Sequence, residues 1–254
     1  MSSVGARKQS EISAVHLAAL NAGQAESRTL SEALAIDQVA LFDAVLPHAP
    51  EGLRETVAAA GKLGILKRMA ATGAALLKHL PPEQLDTLAT HQSDTVRGWW
   101  CFALGADTTI STLDLLARAQ PLANDHSFAV REWVWMALRP RLVDDLETSI
   151  ELLVPWTADP AENVRRFASE SLRPRGVWAS HIGVFKTHPA LAEPLLEPLR
   201  ADPSRYVQDS VANWINDASK TAPDWAIAIC QRWTEQSAAE STARIVKRAL
   251  RSIK

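Results

Sequence analysis

Four short segments recur along the chain at a nearly fixed interval. Thr95-Val96-Arg97, Ala129-Val130-Arg131, Asn163-Val164-Arg165 and Tyr206-Val207-Gln208 follow one another at 34, 34 and 43 residues. Each copy follows an Asp-containing turn and opens an amphipathic segment. A period of this size describes stacked two-helix units, none of which buries its apolar face alone. Asp159-Pro160 and Asp202-Pro203 supply a mechanism for the turn: Asp caps the first helical N–H groups, Pro fits the first helical position, and Val anchors the core-facing stripe. Ile245-Val246-Lys247 reads as a fifth copy, 39 residues further on.

The period is that of HEAT-type arrays, and the fold class expected is an all-α, right-handed solenoid of HEAT-like antiparallel helical pairs, with residues 1–254 as one domain. Ala and Leu dominate, Tyr occurs once, and no strand reading survives. Further helices are expected over 31–46, 51–68, 71–79, 82–90, 111–119, 146–154, 189–199 and 223–233. The helices opened by Val96, Val130, Val164 and Val207 are expected to line the concave side. No apolar stretch of signal-peptide or membrane-span type is found, so a cytoplasmic location and no membrane partner are expected. Cys101 and Cys230 have no ligand-spaced partner, the seven histidines are scattered, and no nucleotide-type glycine loop occurs; neither a metal nor a cofactor is expected.

Net charge is only −2, yet the charge is segregated. Lys62, Lys67, Arg68 and Lys78 stand without an acid between Gly61 and Leu80; Arg165, Arg166, Arg173, Arg175 and Lys186 face Glu170 alone. Arg244, Lys247, Arg248, Arg251 and Lys254 close the chain unopposed. Such runs suit phosphate contact as well as solvated helix faces.

The register also serves as a ruler. The second, sixth and tenth positions after each Val form one helical stripe. In the third copy they are Arg166, Glu170 and Pro174; in the fourth, Asp209, Asn213 and Asp217; in the second the stripe begins at Glu132, flanked by Trp133 and Trp135. Acids recur there beside Arg and Trp. Nine tryptophans exceed what a Leu- and Ala-filled core needs, and Trp178, after the Pro- and Gly-containing run Arg173-Pro-Arg-Gly-Val, is the best candidate for ligand contact.

The run from Asp202 through Tyr206-Val-Gln-Asp-Ser-Val-Ala-Asn-Trp-Ile-Asn-Asp217 to Lys220, with Arg165-Arg-Phe-Ala-Ser-Glu170 through Trp178 upstream, resembles the AlkC branch of the HEAT-like DNA glycosylases. The resemblance implies a monofunctional enzyme that excises cationic alkylated bases, such as 3-methyladenine and 3-methylcytosine, from double-stranded DNA, acting as a monomer with little or no base flipping. It implies that Glu170 and Asp217, then Glu132 and more weakly Asp209, stabilise oxocarbenium-like charge or position water, as carboxylates do in glycoside hydrolysis. Trp178 would lie against the sugar, and Arg165, Arg166, Arg173, Arg175 and Lys186 would hold phosphates, with Asp209 and Asn213 on the DNA-facing stripe. Some members carry an immunoglobulin-like domain after the array; none is expected here. Two alternatives share the repeat pattern: a non-catalytic scaffold for a protein partner, and a binder of DNA structures that cuts no bond.

Overall fold

The computed structural model describes residues 5–176 and 178–253; Val177 and Lys254 of the motifs above lie outside them. All regular structure among these residues is helical. The α-helices are α1 (Ala14–Asn21), α2 (Leu30–Ala35), α3 (Gln38–Val45), α4 (Glu51–Ala60), α5 (Ile65–His79), α6 (Pro82–Thr87), α7 (Asp94–Ala106), α8 (Thr112–Ala123), α9 (Phe128–Asp144), α10 (Leu146–Leu153), α11 (Glu162–Glu170), α12 (Glu193–Leu196), α13 (Arg205–Ser219), α14 (Pro223–Gln236) and α15 (Glu240–Ala249). They group into two compact units, one of Met1–Ser111 with Asp125–Leu138 and one of Thr112–Asn124 with Arg139–Lys254.

The repeat register is written into one recurring set of contacts. Val96, Val130, Val164 and Val207 are all buried. The residue after each Val reaches back to the two carbonyls that close the preceding turn: Arg97 to His91 and Gln92, Arg131 to Asp125 and His126, Arg165 to Asp159 and Pro160, Gln208 to Asp202 and Pro203. The turn Asp accepts the amide two residues on, at 2.7 Å for Asp125, 2.8 Å for Asp159 and 2.8 Å for Asp202. Repeats are then riveted to their successors. Arg97 grips both oxygens of Asp125 at 2.8 and 3.0 Å, and Arg165 grips Asp202 at 2.6 and 3.1 Å. Fork-to-carboxylate pairs of this kind combine charge with fixed geometry. In the fifth copy Ile245, rather than Val246, takes the buried position, so the register there is one residue shorter.

Several helix boundaries differ from the pattern-based expectation for local reasons. The 51–68 segment breaks at Gly61, α4 stopping at Ala60 and α5 starting after Gly64, because the glycines uncouple two apolar faces. The 31–46 segment divides at Asp37, whose carboxylate accepts the amides of Val39 and Ala40 and starts α3 anew. The 189–199 segment becomes two 3-10 turns around the four-residue α12, with Pro189, Pro194 and Pro198 removing the donors a longer helix needs.

In the first unit α5 packs on α7 through Gly73. A Cβ there would stand 2.5 Å from Phe102 Cβ and 2.6 Å from the Ala103 amide nitrogen, inside contact range of backbone that cannot rotate away. Gly73→Ala is expected to lower unfolding free energy by about 1–3 kcal/mol, despite the helix propensity it gains. A shifted denaturant midpoint at unchanged slope is the expected reading, and an unmoved midpoint contradicts it.

In the second unit α11 packs on α13, and α13 on α14 and α15. Its core is aromatic: Trp214 meets Phe185 and Trp225 edge-on at 5.1 and 5.7 Å, and its indole N–H donates to the Leu172 carbonyl at 3.0 Å. Six of the nine tryptophans are buried, Trp156 and Trp225 are half-buried, and Trp178 alone is exposed. The tryptophan excess therefore fills the core more than it serves a surface.

Candidate active site

Glu170 ends α11, and Ser210 and Asp217 lie seven residues apart on one face of α13, the spacing that stacks two side chains. Helix packing brings these three together around Arg173, which follows α11 by one turn. Arg173 donates from Nη1 to Glu170 Oε1 at 2.7 Å, and from Nη2 and Nε to Asp217 Oδ2 at 2.8 and 3.2 Å. Glu170 Oε2 accepts the Ser210 hydroxyl at 2.6 Å, and Ser210 in turn accepts from Ser169 at 2.9 Å. Asp217 Oδ1 accepts from the Lys220 ammonium, at 3.3 Å. Glu170 and Asp217 are each under a tenth exposed.

Burial alone would raise the Glu170 carboxyl, but the Arg166 and Arg173 charges, with the Ser210 and Arg173 hydrogen bonds, hold it below the usual carboxylate range. Arg173 moves upward, because its two carboxylates outweigh the penalty of its own burial. Beneath them Arg139 is 4% exposed and donates to the carbonyls of Ser171, Arg173 and Ser180 at 2.8, 2.5 and 3.1 Å. Burial, and then repulsion from Arg173, bring Arg139 down to about 10. Those three carbonyls span the loop that carries Trp178.

Trp178 is 49% exposed and adopts φ 59°, the one positive φ at a non-glycine residue among the described residues. Left-handed backbone at a bulky residue stores of order 1–3 kcal/mol and is held only when the surroundings dictate it. Here the Arg139 bonds and the Ile182 amide on the Pro174 carbonyl, at 3.0 Å, fix the loop ends. Trp178→Gly, which relieves the strain, is expected to change stability by no more than about 1 kcal/mol, whereas Trp214→Ala in the core loses about 3–5 kcal/mol. Comparable losses at both positions would mean that Trp178 is a packing residue.

The structure redistributes the residues expected to hold phosphate. Arg173 is buried between the two carboxylates, and Arg165 is committed to the turn carbonyls and Asp202, because both forks point inward. Arg166 lies over the Tyr206 ring at 4.3 Å and stands 3.8 Å from Glu170. Arg175 is half-buried, and Lys186 is exposed on the 3-10 turn Gly183–Lys186. Asp209 and Asn213 do not join the carboxylate cluster. Arg244 and Arg248 take Asp209 at 2.6 and 3.0 Å, and Arg251 donates to Asn213 at 2.9 Å, so α15 lays its basic face along this stripe. Glu132 belongs to the first unit, where its Oε2 accepts the Trp135 indole N–H at 2.8 Å. The grouping Glu26, Asp125 and His126 has metal-type donors, but its two carboxylates already take the Arg97 guanidinium, at 2.5 Å and 2.8 Å.

Ser210, Arg139 and Lys220 were not foreseen. Ser210 could have been found from its seven-residue spacing to Asp217 on an acidic stripe; Arg139, inside an apolar helix, carries no such signal.

Comparison with known proteins agrees with this architecture. Residues 81–173 match the family model of HEAT repeats. A protein of Bacillus subtilis (strain 168), described as uncharacterized protein YhaZ, is 40% identical over 117 residues, covering 46% of this chain and 32% of YhaZ. The structure of Pseudomonas fluorescens alkylpurine DNA glycosylase AlkC bound to DNA containing an abasic site analog superposes with a TM-score of 0.69 at 26% identity, over 98% of this chain and 65% of that one. AlkD2 from Streptococcus mutans matches at 0.62 and 21%, over 80% of this chain and 99% of its own. The chain thus spans about a third of YhaZ and just under two thirds of that AlkC chain. It has the AlkC/AlkD-type HEAT-like repeat fold, an all-α solenoid of helical pairs on which DNA repair glycosylases are built.

Proposed function

We propose that this chain is a DNA repair glycosylase that hydrolyses the N-glycosidic bond of cationic alkylated bases, such as 3-methyladenine and 3-methylcytosine, in double-stranded DNA. The observation that carries the reading is the Glu170–Arg173–Asp217 cluster, two carboxylates held at a fixed spacing by one buried guanidinium, with the strained, exposed Trp178 five residues further along the chain. A cationic base is already a good leaving group, so the remaining task is to stabilise positive charge developing on the sugar. Asp217 Oδ1 is the carboxylate oxygen suited to that, since Oδ2 is taken by Arg173 and both Glu170 oxygens are engaged. Glu170 acts through Arg173, keeping the fork in place. Trp178 offers an electron-rich face to the same charge, and Arg166, Arg175 and Lys186 contact the phosphate backbone. No metal or cofactor enters the step, and the base stays in or near the stack.

One observation favours a second reading. Arg173 neutralises both carboxylates in place, which suits a binder of DNA structures that breaks no bond. The two readings part on methylated duplex DNA, where a glycosylase leaves abasic sites that hot alkali converts to strand breaks. Enzyme-dependent breaks support the first reading; tight binding without them supports the second.

A further inference from the structure

We propose that Lys220 is a phosphate-triggered latch on Asp217: a DNA backbone phosphate draws the Lys220 ammonium off the carboxylate and leaves Asp217 Oδ1 open. The proposal rests on the DNA-binding part of the function proposed above and identifies what switches the site between its closed and open forms.

Asp217 is held by two cations of very different grip. Arg173 is buried, takes Oδ2 with two N–H groups, and is itself anchored by Glu170 at 2.7 Å. Removing a buried partner of this kind leaves a stranded charge, so Arg173 stays on Asp217. Lys220 caps the C-terminus of α13, its side chain is 43% exposed, and it reaches Oδ1 at 3.3 Å. With its ammonium half in solvent and at that length, this pair is the weaker of the two. Of the two, the lysine is the one an incoming anion can take. Its compact charge on a flexible four-carbon stem can swing to a phosphate without disturbing the helix, as a fixed fork could not.

The surroundings are short of an anion. Arg248 on α15 and Arg251 in the turn after it lie against α13 at Asp209 and Asn213, with Asp209 taken by Arg244 and Arg248. Arg251 has only neutral hydrogen-bond partners, the Asn213 amide oxygen at 2.9 Å and the Arg248 carbonyl at 2.6 Å. Burial, Arg248 and Arg173 weaken its charged state, with only partial relief from Asp217 and Asp209. Five cations, Arg173, Lys220, Arg244, Arg248 and Arg251, therefore crowd three acids, Glu170, Asp209 and Asp217. A phosphate at this rim relieves the crowding, and Lys220 is the group free to meet it.

The test is a double-mutant cycle on affinity for an undamaged duplex, measured across salt concentrations with the whole chain, whose thermal melts establish folding. Asp217→Asn releases the latch and is expected to tighten binding about threefold, the size of one weak ion pair. That gain should vanish in the Lys220→Gln background, and Lys220→Gln alone should lower the salt slope by about 0.9, one phosphate contact. An equal gain with and without Lys220 would mean plain repulsion between Asp217 and DNA, and would overturn the latch, as would an unchanged slope in Lys220→Gln. Since no base is released here, an intact cycle alongside absent excision would remove the glycosylase reading and leave the latch standing.

Discussion

Arg173→Met is expected to lower the unfolding free energy by about 3–5 kcal/mol at neutral pH, because it strands two buried carboxylates whose charge nothing else offsets so directly. The loss has a defined pH dependence. Glu170 is held below its ordinary value of 4.5, so its pairing stabilises the fold fully above that value and fades as acid protonates it. The variant should accordingly fall furthest behind the parent at neutral pH and converge with it in acid. Adding Glu170→Gln and Asp217→Asn to Arg173→Met should restore more than half of the neutral-pH loss. Urea midpoints across pH read both outcomes; a small, pH-independent loss contradicts the charge-pairing account.

Asp217→Asn is expected to lower single-turnover base release by about 10²–10³, or roughly 3–4 kcal/mol, the typical loss of one well-placed electrostatic contribution. Side-chain shape is kept and the charge is removed, so DNA binding should not weaken. Glu170→Gln should lose less rate and more stability, since both Glu170 oxygens are committed inside the protein, one to Arg173 and one to Ser210. A Glu170 variant as slow as the Asp217 variant but equally stable would place Glu170 at the sugar as well.

Much of the fold was legible because the repeat is held by short-range chemistry. The turn Asp, the buried Val and the following Arg or Gln sit within a few residues of one another, so the sequence displays the whole device. The pairing of Glu170 with Asp217 was legible as a stripe but not as a cluster, because the residue that joins them, Arg173, looks from sequence like one more surface cation. Composition cannot tell an inward fork from an outward one. Arg165 presents the same ambiguity, and only the position of Asp202, 37 residues away, turns it inward. The C-terminal arginines posed the opposite problem: an unopposed basic run whose partners, Asp209 and Asn213, lie on another helix. Trp178 stood out by its Pro- and Gly-containing context, yet its left-handed backbone depends on Arg139, whose contacts no local pattern encodes.

The most direct measurement is the mass of any base freed when the protein is incubated with methylated duplex DNA, with the Asp217→Asn variant run alongside. The account predicts free 3-methyladenine or 3-methylcytosine from the parent protein and at least a hundredfold less from the variant in the same time. No free base from a folded parent that binds the duplex, or equal release from both proteins, would contradict it.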